Sequence, residues 1–196
     1  MEAQQQPQVS KISKPKYKSK EAKNVYSLSQ ITKSITLPIG AIGKELHQTI
    51  ERTVAAMVEG KCIVEGFVKT GSVRVITYSS GLVKSNSVTF NVVFECSVCF
   101  PVAGMLLNCI AKNITKAGVR AESSEETPSP FVLFIARDHY YASDYFNSIE
   151  EKEKFTARVI AQRFELNDKY VSIIAELVPQ KEYVPKKPRL NLGAEV

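Results

Sequence analysis

The sequence predicts an α+β fold: one helix packed on a small, mostly antiparallel sheet, then a five-stranded β-barrel. Three observations carry this. One apolar stripe of helical period lies within residues 44–59. A long run of strand formers, VTFNVVFECSVCFPVAG at 88–104, passes directly into a second apolar run, MLLNCIAKNI. Five strand-like segments follow, with the longer connection between the third and the fourth.

The chain has 196 residues, room for one or two domains of about 100 residues each. The expected division is a basic arm at 1–24, a first domain at 25–100, a barrel domain at 101–178 and an extended basic tail at 179–196. Residues 1–24 hold six lysines against two glutamates, and 179–196 hold four basic residues against two glutamates. These segments account for the whole net charge of +6, so the body between them is near neutral. Any nucleic-acid contact by the body therefore needs a local patch. The arm is polar and without hydrophobic period, as a disordered segment would be. KPKYKSKEAK in the arm fits a phosphate contact, an import signal or a solvated tail; PKKPR near the other end fits an import signal, a partner peptide or a solvated end. No apolar run approaches 18 residues, so no membrane span is expected. The first residues lack an apolar core, so a secretory signal is not expected either.

The first ordered segment is VYSLSQITKSITLPIGAI. Ile31, Ile35 and Leu37 alternate as in a short strand, which Pro38 and Gly40 end. In the helix, Leu46, Ile50, Val54, Met57 and Val58 share one face, and Gly60 stops it. His47 lies off that stripe, at the surface. Three strands come next: CIVEGFVK, SVRVITYS, and VTFNVVFECSVCF after the loop SSGLVKSNS. Pro101 cannot donate to a ladder, so the long strand ends there. With no linker, the two domains are expected to be held rigidly together.

The barrel strands are MLLNCIAKNI, GVRAE, FVLFIAR, KFTARVIAQRFEL and KYVSIIAELV, the last two joined by a hairpin turn at Asn167–Asp168. A polar, tyrosine-rich stretch, DHYYASDYFNSIEEKE, separates the third from the fourth. This pattern is that of a five-stranded OB-fold β-barrel.

The ordered motifs carry a resemblance. A strand ends in LP, a helix closes on EGKC, a G-F-V strand follows, then VTFNVVFECSVCFP, then G-x-x-x-x-C-x-A-K-N-I-T-K-A-G and the barrel. Across about residues 28–178 this resembles the stalk subunit of multisubunit DNA-directed RNA polymerase: the seventh subunit of the eukaryotic enzyme and its archaeal counterpart. The resemblance implies a ribonucleoprotein-like tip domain docking beside the polymerase clamp, and an OB fold of ribosomal S-one type near the emerging transcript. It implies docking through the helix, the 37–43 loop with Leu37, Pro38, Ile39 and Gly40, and the 60–66 segment with Gly60, Lys61 and Gly66. Strands around Ile110, Val119, Phe131 and Phe164 would form the barrel. The implied partners are the large polymerase subunits, a fourth-subunit-like stalk partner and nascent single-stranded RNA. The implied location is the nucleus for a cellular protein, or the virion and cytoplasmic factory for a viral one.

The chain departs from the pattern. Met105 stands where an acidic residue is common, GVRAE lacks the aromatic that S-one domains use for stacking, and a basic arm precedes the first strand. Such divergence suits a copy carried by a large DNA virus with its own polymerase.

No catalytic set is visible: there are two histidines, His47 and His139, and no nucleophile or metal motif. The chain is read as a non-catalytic subunit without cofactor. Cys96 and Cys99 form a C-x-x-C, but an extended backbone sends them to opposite faces. With no second ligand pair, all four cysteines read as buried structural thiols rather than a zinc site. The RNA-binding candidates are Arg120, Arg137, His139, Tyr140, Tyr141, Tyr145, Arg158 and Arg163, since OB folds stack bases on aromatics and hold phosphates with arginine. Against this, Tyr145 and Phe146 would serve as a cap on the barrel core, and Arg163 would pair with Glu165 or Asp168. Two other functions compete: a free-standing single-stranded RNA-binding protein of RNA processing or translation, and a scaffold whose barrel is a spacer.

Overall fold

The computed structural model describes residues 24–140 and 143–178; the arm, the tail and Tyr141 lie outside the described residues. The fold is α+β. One sheet has six strands, and a second, of five strands, closes into a barrel.

The first sheet is organised by β6 (Ser87–Cys99). It pairs antiparallel with β1 (Tyr26–Pro38) over thirteen unbroken positions, from Tyr26 opposite Cys99 to Pro38 opposite Ser87. The strand expected to be short is thus as long as its partner. On the other edge of β6 lie β5 (Leu82–Lys84), β4 (Arg74–Tyr78) and β3 (Gly66–Val68), one after another. Period two then sorts the side chains. Ile31, Ile35 and Leu37 meet Phe94, Phe90 and Val88 on a buried face, while Thr32, Ser34 and Thr36 stand on the other.

Helix α1 (Leu46–Val58) covers the buried face with Ile50, Val54 and Val58. Glu51 of the helix accepts from Val75 N–H in β4 (Arg74–Tyr78), and Glu59, just past the helix, accepts from Val73 N–H just before that strand. Met57, expected in the stripe, is exposed. At about 100° per residue it falls beside Leu46, on the margin of the 50–54–58 face. Gly60 ends the helix at φ +69 and donates its N–H to Val68 O instead of a helical carbonyl.

Two further expectations are corrected. CIVEGFVK is a hairpin, β2 (Cys62–Ile63) and β3, reversing at Val64 and Glu65. The loop SSGLVKSNS contains β5, which folds back on the start of β6.

After residues 100–105 the barrel runs β7 (Leu106–Ile114), β8 (Gly118–Ser123), β9 (Phe131–Ala136), β10 (Lys154–Arg163) and β11 (Val171–Leu177). β11 pairs parallel with β9, the other neighbours pair antiparallel, and β10 closes on β7. Bulges at Ala111–Asn113 and Val159–Ala161 supply local bending. The segment between β9 and β10 holds a 3-10 turn and the short helix α2 (Asp144–Asn147), whose Phe146 is buried in the barrel core. The expected two-residue turn between the last strands is a seven-residue loop, 164–170. Phe164, expected on a strand, lies in it and meets Phe100 edge-on.

That loop touches the first sheet. Cys62 N–H donates to Asp168 O at 2.7 Å, and Asn167 N–H donates to Cys62 O at 2.8 Å. Beside it Lys69 bonds both oxygens of Glu126 and lies 4.8 Å from the Tyr26 ring centroid. Burial pushes the Tyr26 hydroxyl well above its usual range, with Cys99 and Glu126 adding to the shift. Cys62, Phe67 and Cys99 pack in the barrel's core cluster, whereas Cys96 packs in the cluster under α1.

Gly66 sits at this seam with φ +127, and a Cβ there would lie 2.5 Å from Cys99 O. Gly66→Ala is expected to lower unfolding free energy by about 2 kcal/mol or more. Gly40→Ala, where a Cβ meets open space, changes it by less than about 0.5 kcal/mol. Urea titration of the two variants measures the difference.

Candidate nucleic-acid interface

The barrel register builds a row of side chains on its outer surface. Leu133, Ile135 and Ile173 face inward and are buried, which turns Phe134 and Ile174 outward. Arg120 lies opposite Phe134, Phe134 opposite Ile174, and Ile174 opposite Ala161, across β8, β9, β11 and β10. A parallel row sets Val132 opposite Ser172 and Ser172 opposite Arg163. The β10 bulge is what admits Arg163. Before it Phe155, Ala157 and Val159 face the core; after it the odd positions face out.

Together with Tyr170 from the 164–170 loop, these residues line a groove of about 410 Å³. Phe134 is 36 % exposed, Tyr170 40 % and Ile174 55 %. Arg120 makes no ion pair among the described residues. Arg163 pairs with Glu165 at 3.0 Å, both largely exposed, so the contact is weak and open to exchange for a phosphate. Gln162 also lines the groove, and its Oε1 is buried without a hydrogen-bond partner.

The structure does not bring the sequence candidates into one cluster. Arg120 and Arg163 line the groove. Arg158 is bonded at 2.7 Å to its cross-strand partner Glu176. Arg137 donates to Thr115 O, Lys116 O and Asn147 Oδ1, and its guanidinium lies 5.2 Å from the Phe146 ring centroid. Tyr140 stacks on Phe146 and accepts a hydrogen bond from Leu177 N–H. Arg137 and Tyr140 thus fasten the β9–β10 connection to the barrel. His139 is exposed on the 3-10 turn between them, and Tyr145 packs against the barrel core. Phe134 and Tyr170 escape a reading that seeks the stacking aromatic on GVRAE. Strict alternation in FVLFIA points to Phe134, one strand over.

The docking candidates also separate. Leu37 is buried, while Pro38, Ile39 and Gly40 are exposed beside the start of β6. Gly60, Lys61 and Gly66 lie near its other end, against the barrel. The thirteen residues of β6 span roughly 40 Å at about 3.3 Å per residue, so the two groups lie at opposite ends of the strand. At the far end Ile39 N–H donates to Asn86 O in the β5–β6 turn, and in β5 Leu82 and Val83 are 70 % and 66 % exposed. A cleft of about 300 Å³ lies between α1, β1 and the 164–170 loop, lined by Ile31, Met57, Val64 and Leu166 among others.

All four cysteines are free and buried, and the described residues contain no group of ligands that could hold a metal. Cys62 and Cys99 flank Phe67 on neighbouring strands, so two strand spacings, about 9.6 Å, separate their backbones, beyond the reach of a disulfide. Burial pushes the thiols of Cys62 and Cys96 up to about 11 and those of Cys99 and Cys109 up to about 12.

No protein-family model matches the chain. Over 159 residues it is 24% identical to a protein of Acanthamoeba polyphaga mimivirus named "Putative DNA-directed RNA polymerase subunit", covering 72% of this chain and 76% of that one. Among solved structures it is similar to the solution structure of GSP13 from Bacillus subtilis, with 16% identity, a TM-score of 0.31, and coverage of 48% of this chain and 73% of that chain.

Each thiol has a folded pKa above its unfolded value of about 8.5, so its contribution to stability is full below about pH 8.5 and is lost as pH rises towards 11 and 12. Denaturant midpoints should fall over that interval, and a thiol reagent at pH 8 should label four cysteines only after unfolding. Tyr140→Phe removes the acceptor for Leu177 N–H and should cost about 1 kcal/mol in the same titration.

Proposed function

We propose that the chain is a non-catalytic subunit of a multisubunit DNA-directed RNA polymerase, of the stalk type. The observation that supports this most is the similarity to the mimivirus protein, which extends over about three quarters of both chains. On this reading the far end of the first sheet is the docking end. Exposed Leu82 and Val83, with Ile39 and Ile42, supply apolar contacts at that end that seat beside the clamp of the large subunits. The barrel, at the other end of β6, is then held away from that contact and towards the emerging RNA. The cleft between α1, β1 and the 164–170 loop is the place for a fourth-subunit-like stalk partner. The mimivirus relative favours a viral polymerase, and with it the virion and cytoplasmic factory over the nucleus. The barrel groove would serve a free-standing RNA-binding protein equally well, but such a protein has no need of the apolar far end.

The test is affinity purification of the tagged chain from cells in which it is expressed, with mass spectrometry of what accompanies it. The large polymerase subunits should co-purify, and the double variant Leu82→Asp with Val83→Asp, at two exposed positions, should reduce their recovery at least tenfold. Recovery that survives this variant and is lost instead on altering the barrel would contradict the docking assignment. Absence of any polymerase subunit would contradict the function.

A further inference from the structure

We propose that the free edge of β1 pairs with the same strand of a second copy of the chain, antiparallel and about a two-fold axis at Thr32, so that the first sheet runs on through both molecules. The proposal goes beyond the polymerase reading and does not rest on it.

The edge is bare. β1 pairs with β6 on one side over thirteen residues, and among the described residues no strand pairs with its other side. Antiparallel pairing uses the backbone groups of alternate residues, so every second N–H and C=O of β1 points away from β6. At about 3.3 Å per residue they form a row roughly 40 Å long. Sheet edges are ordinarily guarded by bulges, prolines or charges. β1 has no bulge against β6, its proline is its last residue, and Lys33 is its one charge.

The pattern of the strand selects the occupant. Ile31, Ile35 and Leu37 lie on the α1 side, while Gln30, Thr32 and Ser34 stand exposed on the other. A second β1 carries the same alternation, and a two-fold axis lets each copy give and receive the same contacts. With the axis at Thr32 all thirteen residues pair, Tyr26 of one copy opposite Pro38 of the other. Thr32 then meets Thr32 and Gln30 meets Ser34, a polar match of the kind β6 already makes, where Thr89 bonds Thr36 at 3.1 Å. A slip of one residue would set the polar side of one strand against the α1 side of the other. An axis at Lys33 would set two lysines directly opposite, which is unfavourable.

Charge supports the same register. Ile31, Thr32 and Lys33 all line the cleft under α1, although their side chains alternate, so the cleft reaches the edge of the strand. Glu65 lines it too, and neither Glu65 nor Lys33 makes an ion pair among the described residues. In the dimer Lys33 of the second copy stands opposite Ile31. Its stem covers that aliphatic side chain, and its ammonium group is carried to the cleft that holds Glu65. The pairing takes the edge beside this cleft, so the homodimer and a complex with the stalk partner exclude one another.

The four native cysteines are buried, so a cysteine added at the surface is the one free to cross-link. Full-length protein is examined by sedimentation equilibrium over a dilution series, and its mass should rise with concentration from 21.8 kDa towards twice that value. Thr32→Cys, at the axis, should form an intermolecular disulfide on mild oxidation, because directly opposite Cα atoms lie about 4.5–5.5 Å apart. Thr36→Cys should not, because the axis sets its two copies about eight residues apart along the strands, roughly 26 Å. Thr32→Lys sets like charges face to face and should weaken association roughly fivefold or more. Its thermal melt should match the parent, because Thr32 is exposed. A mass of 21.8 kDa at every concentration, the result if another segment or another protein takes the edge, would overturn the proposal. So would equal cross-linking of the two cysteine variants, or a dimer that Thr32→Lys leaves unchanged. None of these outcomes touches the polymerase reading, and a chain that dimerises but recovers no polymerase subunit removes that reading alone.

Discussion

One strand carries the structure. β6 pairs with β1 along one edge over all thirteen of its residues and with β5, β4 and β3 along the other. Its even-numbered side chains from Val88 to Val98 form the floor under α1. Its last residue, Cys99, is packed in the barrel core. A one-residue slip of β1 on β6 would turn Ile31, Ile35 and Leu37 to solvent, so burial on one face fixes the register. Because the strand enters both clusters, its position also sets where the barrel begins. The bonds from Cys62 to Asn167 and Asp168, and from Lys69 to Glu126, then close a second connection beside the covalent one.

The sequence showed what local pattern can show. Ile50, Val54 and Val58 marked the helix, the strand-former run marked β6, and five apolar segments marked a barrel whose closure and parallel β11–β9 pair agree with an OB-like fold. The opposed faces of Cys96 and Cys99 were also readable, because period two needs only an extended backbone. What escaped was decided by partners distant in sequence. β5 is three residues long and is a strand only because β6 receives it. Val64 and Glu65 carry no strong turn residue, yet the chain reverses there, with Gly66 admitting the close approach to Cys99 O. The bulge at Val159–Ala161 shifts which side chains of β10 face out, and no composition rule signals it.

The candidate site was less legible than the fold for the same reason. Arg137 and Tyr140 look like ligand-binding residues in a polar, tyrosine-rich stretch. The Arg137 guanidinium instead donates to Thr115 and Lys116, while Tyr140 stacks on Phe146 and its hydroxyl accepts from Leu177 N–H. Arg120 gains significance only once the register sets it opposite Phe134. In the same way the docking residues read as one group along the chain, until β6 set Ile39 and Gly66 at its opposite ends. The result is a molecule with unlike ends: a hairpin with exposed Leu82 and Val83, and a barrel face with two rings and two arginines.

The shared frame is tested most directly by native-state hydrogen exchange along β6 and the 100–105 connection. If the strand anchors both clusters, its amides exchange slowest in the chain, and those near Cys99 open together with the barrel strands β7 and β10 in a single event near the global unfolding free energy. Early exchange near Cys99, with the first sheet and the barrel opening at separate free energies, would contradict it.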